Sequence, residues 1–337
     1  MHRRWGIGRR AKWAVLQAVL LAGTTNGLAV GRQSDAAEAG QRAYEKGDYT
    51  KAVEELQAAA AKDPQNGEIE LLLTKCYLEL GEHDASIASA EKAVAIDPQS
   101  SVYHDWLGKA YGEKAAHASM FSALGLARKT HKEFETAVQL DAKNYAARQD
   151  LIEFDCSAPG IVGGGEDKAK PEIEALESMD ASEWHYALGN CDRQKKDFVD
   201  ADAEFQSALE SHPKAPDLIY DIGDYEVRRS QADTLLEAAG LGERASPSDP
   251  RWLFYRAVGF ILKEEKPQEA ERMLREYLRK APKRSNYPRY ATAHEWLGRL
   301  YENEGEKESA VKEYEAALQL DPKDKSARES LKRLRKG

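Results

Sequence analysis

Residues 296–322 read Trp296-Leu-Gly-Arg-Leu-Tyr301, then Gly305, Ala310, Tyr314, Ala317 and Asp321-Pro322. Two earlier stretches follow the same order: Gly47-Asp-Tyr-Thr-Lys-Ala52 ends in Asp63-Pro64, and Gly81-Glu-His-Asp-Ala-Ser86 ends in Asp97-Pro98. Pro64 and Pro98 stand 34 residues apart. A fixed period of this length marks a chain of stacked supersecondary units, each too small to bury its own apolar face. The recurring residues have mechanical reasons. Leu107-Gly108, Leu188-Gly189 and Leu297-Gly298 place a missing side chain where a second helix crosses the first. Ala52, Ala201, Ala270 and Ala310 fill the facing position, and Leu56, Phe205, Leu274 and Tyr314 fill the core four residues on. Ala59, Ala93, Ala137, Ala208 and Ala317 pack on the next unit. Pro64, Pro98, Pro213, Pro282 and Pro322 stop each second helix, because proline has no N–H and clashes with the preceding turn.

This pattern resembles the tetratricopeptide repeat, W-x2-L-G-x2-Y…A-x3-F…P. The resemblance covers nearly everything after residue 33. It implies an all-α, right-handed α-solenoid of about eight helix-turn-helix units, starting near residues 33, 67, 101, 145, 182, 216, 251 and 291. Residues 30–324 form this solenoid. An amphipathic segment at 325–337, with Ala327, Leu331 and Leu334 at helical spacing, caps it.

The first 29 residues read as an address. Arg3, Arg4, Arg9, Arg10 and Lys12 precede an apolar run, Trp13 to Ala22, and a small-residue stretch ending at Ala29. This is the layout of a secretory signal peptide, with an amphipathic helix or uncleaved anchor as the alternative. The run is too short to span a bilayer comfortably. The expectation is an exported bacterial protein, periplasmic or extracellular, with no membrane span after processing. A formal charge of -9 argues against general nucleic-acid binding. Of the three cysteines, Cys76 and Cys191 share a repeat position. A Cys156–Cys191 disulfide fits an oxidising compartment, but buried free thiols are the expectation.

Three places break the period. In the third unit Ala137 arrives ten residues late, so residues 112–132 hold an insertion with no proline. Lengthened helices or an extra turn are expected there. Met120, Phe121 and Leu124 either fold back on the core or form a contact patch. The second break, Ala158-Pro-Gly-Ile-Val-Gly-Gly-Gly165, precedes a helix. Its glycines suggest an anion cradle aided by Lys168, but no strand precedes them and Glu166 and Asp167 repel phosphate, so a plain loop is favoured. Its wording is similar to a bacterial exported subset of the repeat family and implies no activity of its own. The third, residues 283–290, lengthens the link into the last unit; it is basic and aromatic, and either flanks a binding surface or is a longer connection with Tyr287 and Tyr290 packed on neighbours.

No catalytic or metal motif is present in the sequence. His104, His185 and His294 occupy one repeat position and read as interhelix packing, so no metal, cofactor or catalytic residue is expected. The resemblance implies instead that first helices line an inner groove. Its exposed positions in units five to seven hold Tyr186, Asn190, Arg193, Tyr220, Asp224, Arg228, Trp252, Tyr255 and Lys263. Interfaces favour such Tyr, Trp and Arg residues, with ordinary filling of the solenoid's interior as the alternative. In units one to four the same positions hold Ser34, Gln41, Glu45, Glu68, Lys75, Glu79, Asp105, Lys109 and Glu113, which read as a solvated acidic surface. The expected function is a non-catalytic scaffold gripping a protein or peptide in its groove. Alternatives are a homo-oligomerising assembly factor using the 112–132 insertion, and small-ligand or anion binding at residues 159–168.

Overall fold

The computed structural model describes residues 35–336; the signal-like stretch and Ser34 lie outside them. The described residues form α1 (Asp35–Glu45), α2 (Tyr49–Lys62), α3 (Gly67–Leu80), α4 (His83–Ile96), α5 (Ser101–His117), α6 (Met120–Leu140), α7 (Tyr145–Ser157) and α8 (Glu166–Glu177). They continue with α9 (Ala181–Lys195), α10 (Phe198–Glu210), α11 (Pro216–Arg229), α12 (Ala232–Ala245), α13 (Arg251–Leu262), α14 (Pro267–Lys280), α15 (Tyr290–Asn303), α16 (Lys307–Leu320) and α17 (Lys325–Lys336). No strand occurs among the described residues, and the architecture is an all-α repeat solenoid.

The chain divides between Ala175 and Leu176 into two compact units. In the first, α1 packs on α2, α3 on α4 and α5 on α6, while α2, α4 and α6 pack on the first helix that follows each. In the second, the pairs are α9 with α10, α11 with α12, α13 with α14 and α15 with α16; α12 also packs on α13, and α17 on α16.

Helix starts are fixed by side-chain caps. Asn66, Ser100, Asn144, Asp180 and Asp197 each accept a hydrogen bond from a backbone N–H of the following first turn. The turn inside six of the hairpins is fixed by backbone handedness. Gly47 and Gly81, and then Lys196, Ser230 and Glu264, all adopt positive φ, each series at a spacing of 34, and Gly305 does the same in the last hairpin. Three of these six turns therefore force a left-handed conformation on a residue with a Cβ, which costs roughly 1–2 kcal/mol each.

Hairpins close on Gly108, Gly189 and Gly298, singled out by the repeat, and on Gly40, which the structure adds. A Cβ added to Gly189 would lie 2.8 Å from Phe205, one on Gly298 would lie 2.7 Å from Tyr314, and one on Gly40 would lie 2.6 Å from Leu56. Each partner stands sixteen residues after its glycine. Gly108 makes the same contact with Phe134, at 2.6 Å for an added Cβ, but twenty-six residues on. The ten extra residues lengthen α5 to 17 residues and α6 to 21, where other hairpins use helices of about 14. Ala52, Ala201, Ala270 and Ala310 are fully buried against these crossings.

Gly298→Val forces two methyl groups into the Tyr314 ring and should cost about 1–3 kcal/mol by overpacking. Ser230→Gly should instead stabilise the chain, because its φ of 60° suits glycine. Thermal unfolding followed by circular dichroism checks both signs.

Candidate functional site

In the second unit the structure divides the expected groove residues into two sets. Tyr186, Tyr220, Tyr255 and Asn190 are buried, so they are core residues and not exposed inner positions. The reason is local: Gly223 and Gly242 leave room that Tyr255 and Tyr220 fill, since added Cβ atoms there would lie 2.9 and 2.5 Å from those rings. Tyr220 and Tyr255 stack with centroids 5.6 Å apart, and the Tyr255 hydroxyl donates to Asp224 at 2.8 Å. Burial raises the hydroxyl pKa of both tyrosines above the ordinary value, so neither ionises near neutrality. Arg193, Asp224 and Trp252 are half-buried, and Arg228 and Lys263 are exposed. The Trp252 indole N–H donates to the Pro247 carbonyl at 3.3 Å, and the Arg256 guanidinium lies 4.9 Å from its ring centroid. Lys263 pairs with Asp233 at 2.7 Å.

Arg251, which the repeat pattern does not single out, anchors this unit. Its guanidinium pairs with Asp249 at 2.6 Å and Asp217 at 3.0 Å, and it lies 4.2 Å and 4.9 Å from the rings of Tyr220 and Tyr287. Burial opposes its charge, but the two carboxylates outweigh it and hold its pKa above the ordinary value. It therefore ties α11 and α13 to the 283–289 connection. Tyr277 and Tyr290 secure that connection further by donating to the Pro288 and Ala281 carbonyls.

The first unit corrects a second expectation. Lys75, Asp105 and Lys109 are buried, and the first-helix face also buries Glu70, Arg148, Gln149, Asp150 and Glu153. This is not a solvated acidic surface. Lys109 Nζ bridges Asp105 at 2.5 Å and Asp150 at 2.7 Å. Trp106 lies against two ammonium groups, 4.7 Å from Lys75 and 5.0 Å from Lys109. Arg148 pairs with Glu172, joining α7 to α8. Gln41, Glu45, Glu68, Glu79 and Glu113 keep solvent contact. Nothing in the spacing of Asp150 announced its contact with Lys109, because the two lie 41 residues apart on separate first helices.

The repeated histidines pair across their hairpins. His104, His185 and His294 meet Glu133, Glu204 and Glu313 at 2.6, 2.7 and 2.6 Å. Each glutamate occupies one second-helix position, so the repeat encodes the pair. Burial pushes Glu313 up, yet His294 and Arg275 hold its pKa below the ordinary value.

At the insertion, Leu124 packs on a core cluster, whereas Met120 and Phe121 are 77% and 88% exposed. The glycine stretch forms a 3-10 turn, Gly160–Val162, and Gly163 and Gly165 take positive φ. Its N–H groups at Val162, Gly163 and Gly165 donate to Pro159, Gly160 and Asp155 carbonyls. The Asp167 carboxylate folds over Gly165, and Gly163 sits against the His131 ring, which pairs with Asp155 at 3.1 Å. The loop thus covers a His–Asp pair. Among the cysteines, Cys76 is free and buried, in line with the free-thiol expectation at that position. Burial pushes the Cys76 thiol up to about 12, which keeps it unreactive.

Sequence models of the tetratricopeptide repeat match residues 43–110 and 262–325. The chain is a tetratricopeptide-repeat protein. Among solved structures it is similar to a tetratricopeptide repeat protein from Parabacteroides merdae, at 14% identity and TM-score 0.40, over 90% of this chain and 98% of the other. A thermophilic protein of the same repeat class from Thermus thermophilus aligns at 13% identity and TM-score 0.34, over 91% and 100%. The C-terminal part of a repeat-containing protein from Cytophaga hutchinsonii aligns at 16% identity and TM-score 0.39, over 87% and 98%. No curated protein matches the sequence.

One tetratricopeptide hairpin carries a buried acid with a measurable signature. Glu226 on α11 is 1% exposed, and burial, aided by Asp202 against Arg229, pushes its pKa up to about 8. Beside it, Asp202 accepts from the Tyr225 hydroxyl at 2.5 Å and pairs with Arg229 at 2.9 Å. The unfolded chain ionises Glu226 near 4.5 while the folded chain keeps it protonated, so its contribution to stability falls as pH rises from about 4.5 to about 8. Glu226→Gln should remove that decline and raise the melting temperature at pH 8 but not at pH 4.5, as thermal unfolding across this range would show.

Proposed function

We propose that the chain is a non-catalytic, exported scaffold that binds a protein or peptide along its first-helix faces. The repeat class is a protein-interaction architecture. The observation that carries the reading is the polar character of these faces. A stack of hairpins needs only apolar contact to cohere. Here Lys75, Asp105, Lys109 and Asp150 are built into the first helices of one unit, and Asp224, Arg228 and Trp252 into those of the other. Burying charge gives little net stability compared with apolar packing, and the buried members touch no partner themselves, so the reading rests on the members that reach solvent. Arg228 and Trp252 are the accessible members, and they combine a bidentate donor with a broad flat surface.

Affinity capture with the full chain, read by mass spectrometry, tests this. Arg228→Ala with Trp252→Ala should abolish capture of the partner while leaving helicity unchanged. Unchanged capture by the folded double variant would contradict the assignment.

Export is supported by the basic and apolar start of the sequence. N-terminal sequencing of the native protein should begin after Ala29; a chain beginning at Met1 in the cytosolic fraction would overturn export.

A second reading, self-association through the 112–132 insertion, is favoured by the exposure of Met120 and Phe121 at the start of α6. Under that reading, light scattering at high protein concentration would give a mass above one chain, returned to the monomer by Met120→Ser with Phe121→Ser. A monomer at all concentrations would exclude it.

A further inference from the structure

The Asp105–Lys109–Asp150 cluster presents an uneven charge count. Lys109 contacts a carboxylate on its own helix, α5, and another on α7, at 2.5 and 2.7 Å. The three side chains are 6%, 4% and 0% exposed. Two carboxylates and one ammonium would leave a net negative charge in a site shut off from water. Such a charge is strongly penalised, and two carboxylates close together are relieved when one keeps a proton. The remaining oxygens give no other relief: Asp105 Oδ1 and Asp150 Oδ1 are both buried and accept no hydrogen bond. The charged groups facing Asp150 are Lys109 and Asp105 from α5 and Glu153 from α7 itself.

We propose that this cluster is a proton-holding clasp between α5 and α7, in which Asp150 is a neutral acid at neutral pH and its ionisation loosens the contact between these two first helices. The proposal goes beyond the scaffold reading and does not depend on it. It supplies a regulation for the first unit's inner face, because Trp106, flanked by Lys75 and Lys109, is held by the same cluster. The electrostatics agree with the geometry. Burial raises the Asp150 pKa well above the ordinary carboxylate value despite the pull of Lys109, and Asp105 and Glu153 push it the same way. Burial opposes the Lys109 charge, but Asp105 and Asp150 prevail and hold the ammonium above its ordinary value. Ammonium, one carboxylate and one carboxylic acid together are neutral.

The sign follows from linkage. A carboxyl whose folded pKa is raised contributes stability that is fully present below its unfolded pKa and lost as pH rises through the folded one. Asparagine mimics the neutral acid and cannot ionise. In the full chain, Asp150→Asn should therefore melt close to the wild-type temperature at about pH 4, near the unfolded carboxyl's ordinary pKa, and several degrees above it at pH 9. Carboxyl carbon NMR with aspartate-selective labelling, assigned through the Asp150 backbone, should show Asp150 still protonated at pH 7 in the wild type. Asp105→Asn leaves Lys109 with a single carboxylate and should return the Asp150 transition to the ordinary range. An Asp150 resonance that ionises in the ordinary range in the wild type would overturn the proposal. So would an Asp150→Asn variant whose melting offset is the same at every pH.

Discussion

The structure depends on helix crossings so close that one partner has no side chain. Gly40, Gly108, Gly189 and Gly298 each receive a large side chain from the second helix of the same hairpin. That contact sets the separation of the two helices, and the separation decides which other positions face the core. The alanines at the crossing are fully buried for the same reason, and the lone hairpin with a ten-residue insertion preserves the contact by lengthening both helices. Interiors are packed too densely for a Cβ to be absorbed there without movement of the partner.

This constraint made most of the fold legible in sequence. A glycine followed sixteen residues later by Leu, Phe or Tyr marks three hairpins, at Gly40, Gly189 and Gly298, while the α3/α4 and α13/α14 hairpins lack that glycine and are read from their alanines and from Pro98 and Pro282. The first helices begin at Asp35, Gly67, Ser101, Tyr145, Ala181, Pro216, Arg251 and Tyr290. Positive-φ turns at Lys196, Ser230 and Glu264 carry no glycine, and the intervening insertions break the 34-residue count from Gly81, so no sequence signal located them.

The candidate surface was less legible, because exposure along a first helix depends on the neighbours' volumes as well as on repeat position. Tyr220 and Tyr255 occupy positions the family pattern leaves open, yet Gly242 and Gly223 open space that draws the rings inward. Asp105 and Lys109 look solvated by sequence, one turn apart on a helix, until α7 brings Asp150 against the same ammonium. Long-range pairing of this kind has no local signature. The His–Glu pairs lie between these extremes. Their histidines were visible as a repeated position, but their glutamates emerge only when α5 is matched with α6, α9 with α10 and α15 with α16.

The crossing itself is most directly measured by a double-mutant cycle on Gly189 and Phe205. Gly189→Ala crowds the ring, and Phe205→Leu removes the ring that is crowded. If the crossing governs hairpin geometry, each single variant loses stability and the double variant loses clearly less than their sum, giving a coupling of about 1 kcal/mol or more in equilibrium unfolding. Losses that simply add would show that the two residues do not meet as described, and would contradict the account.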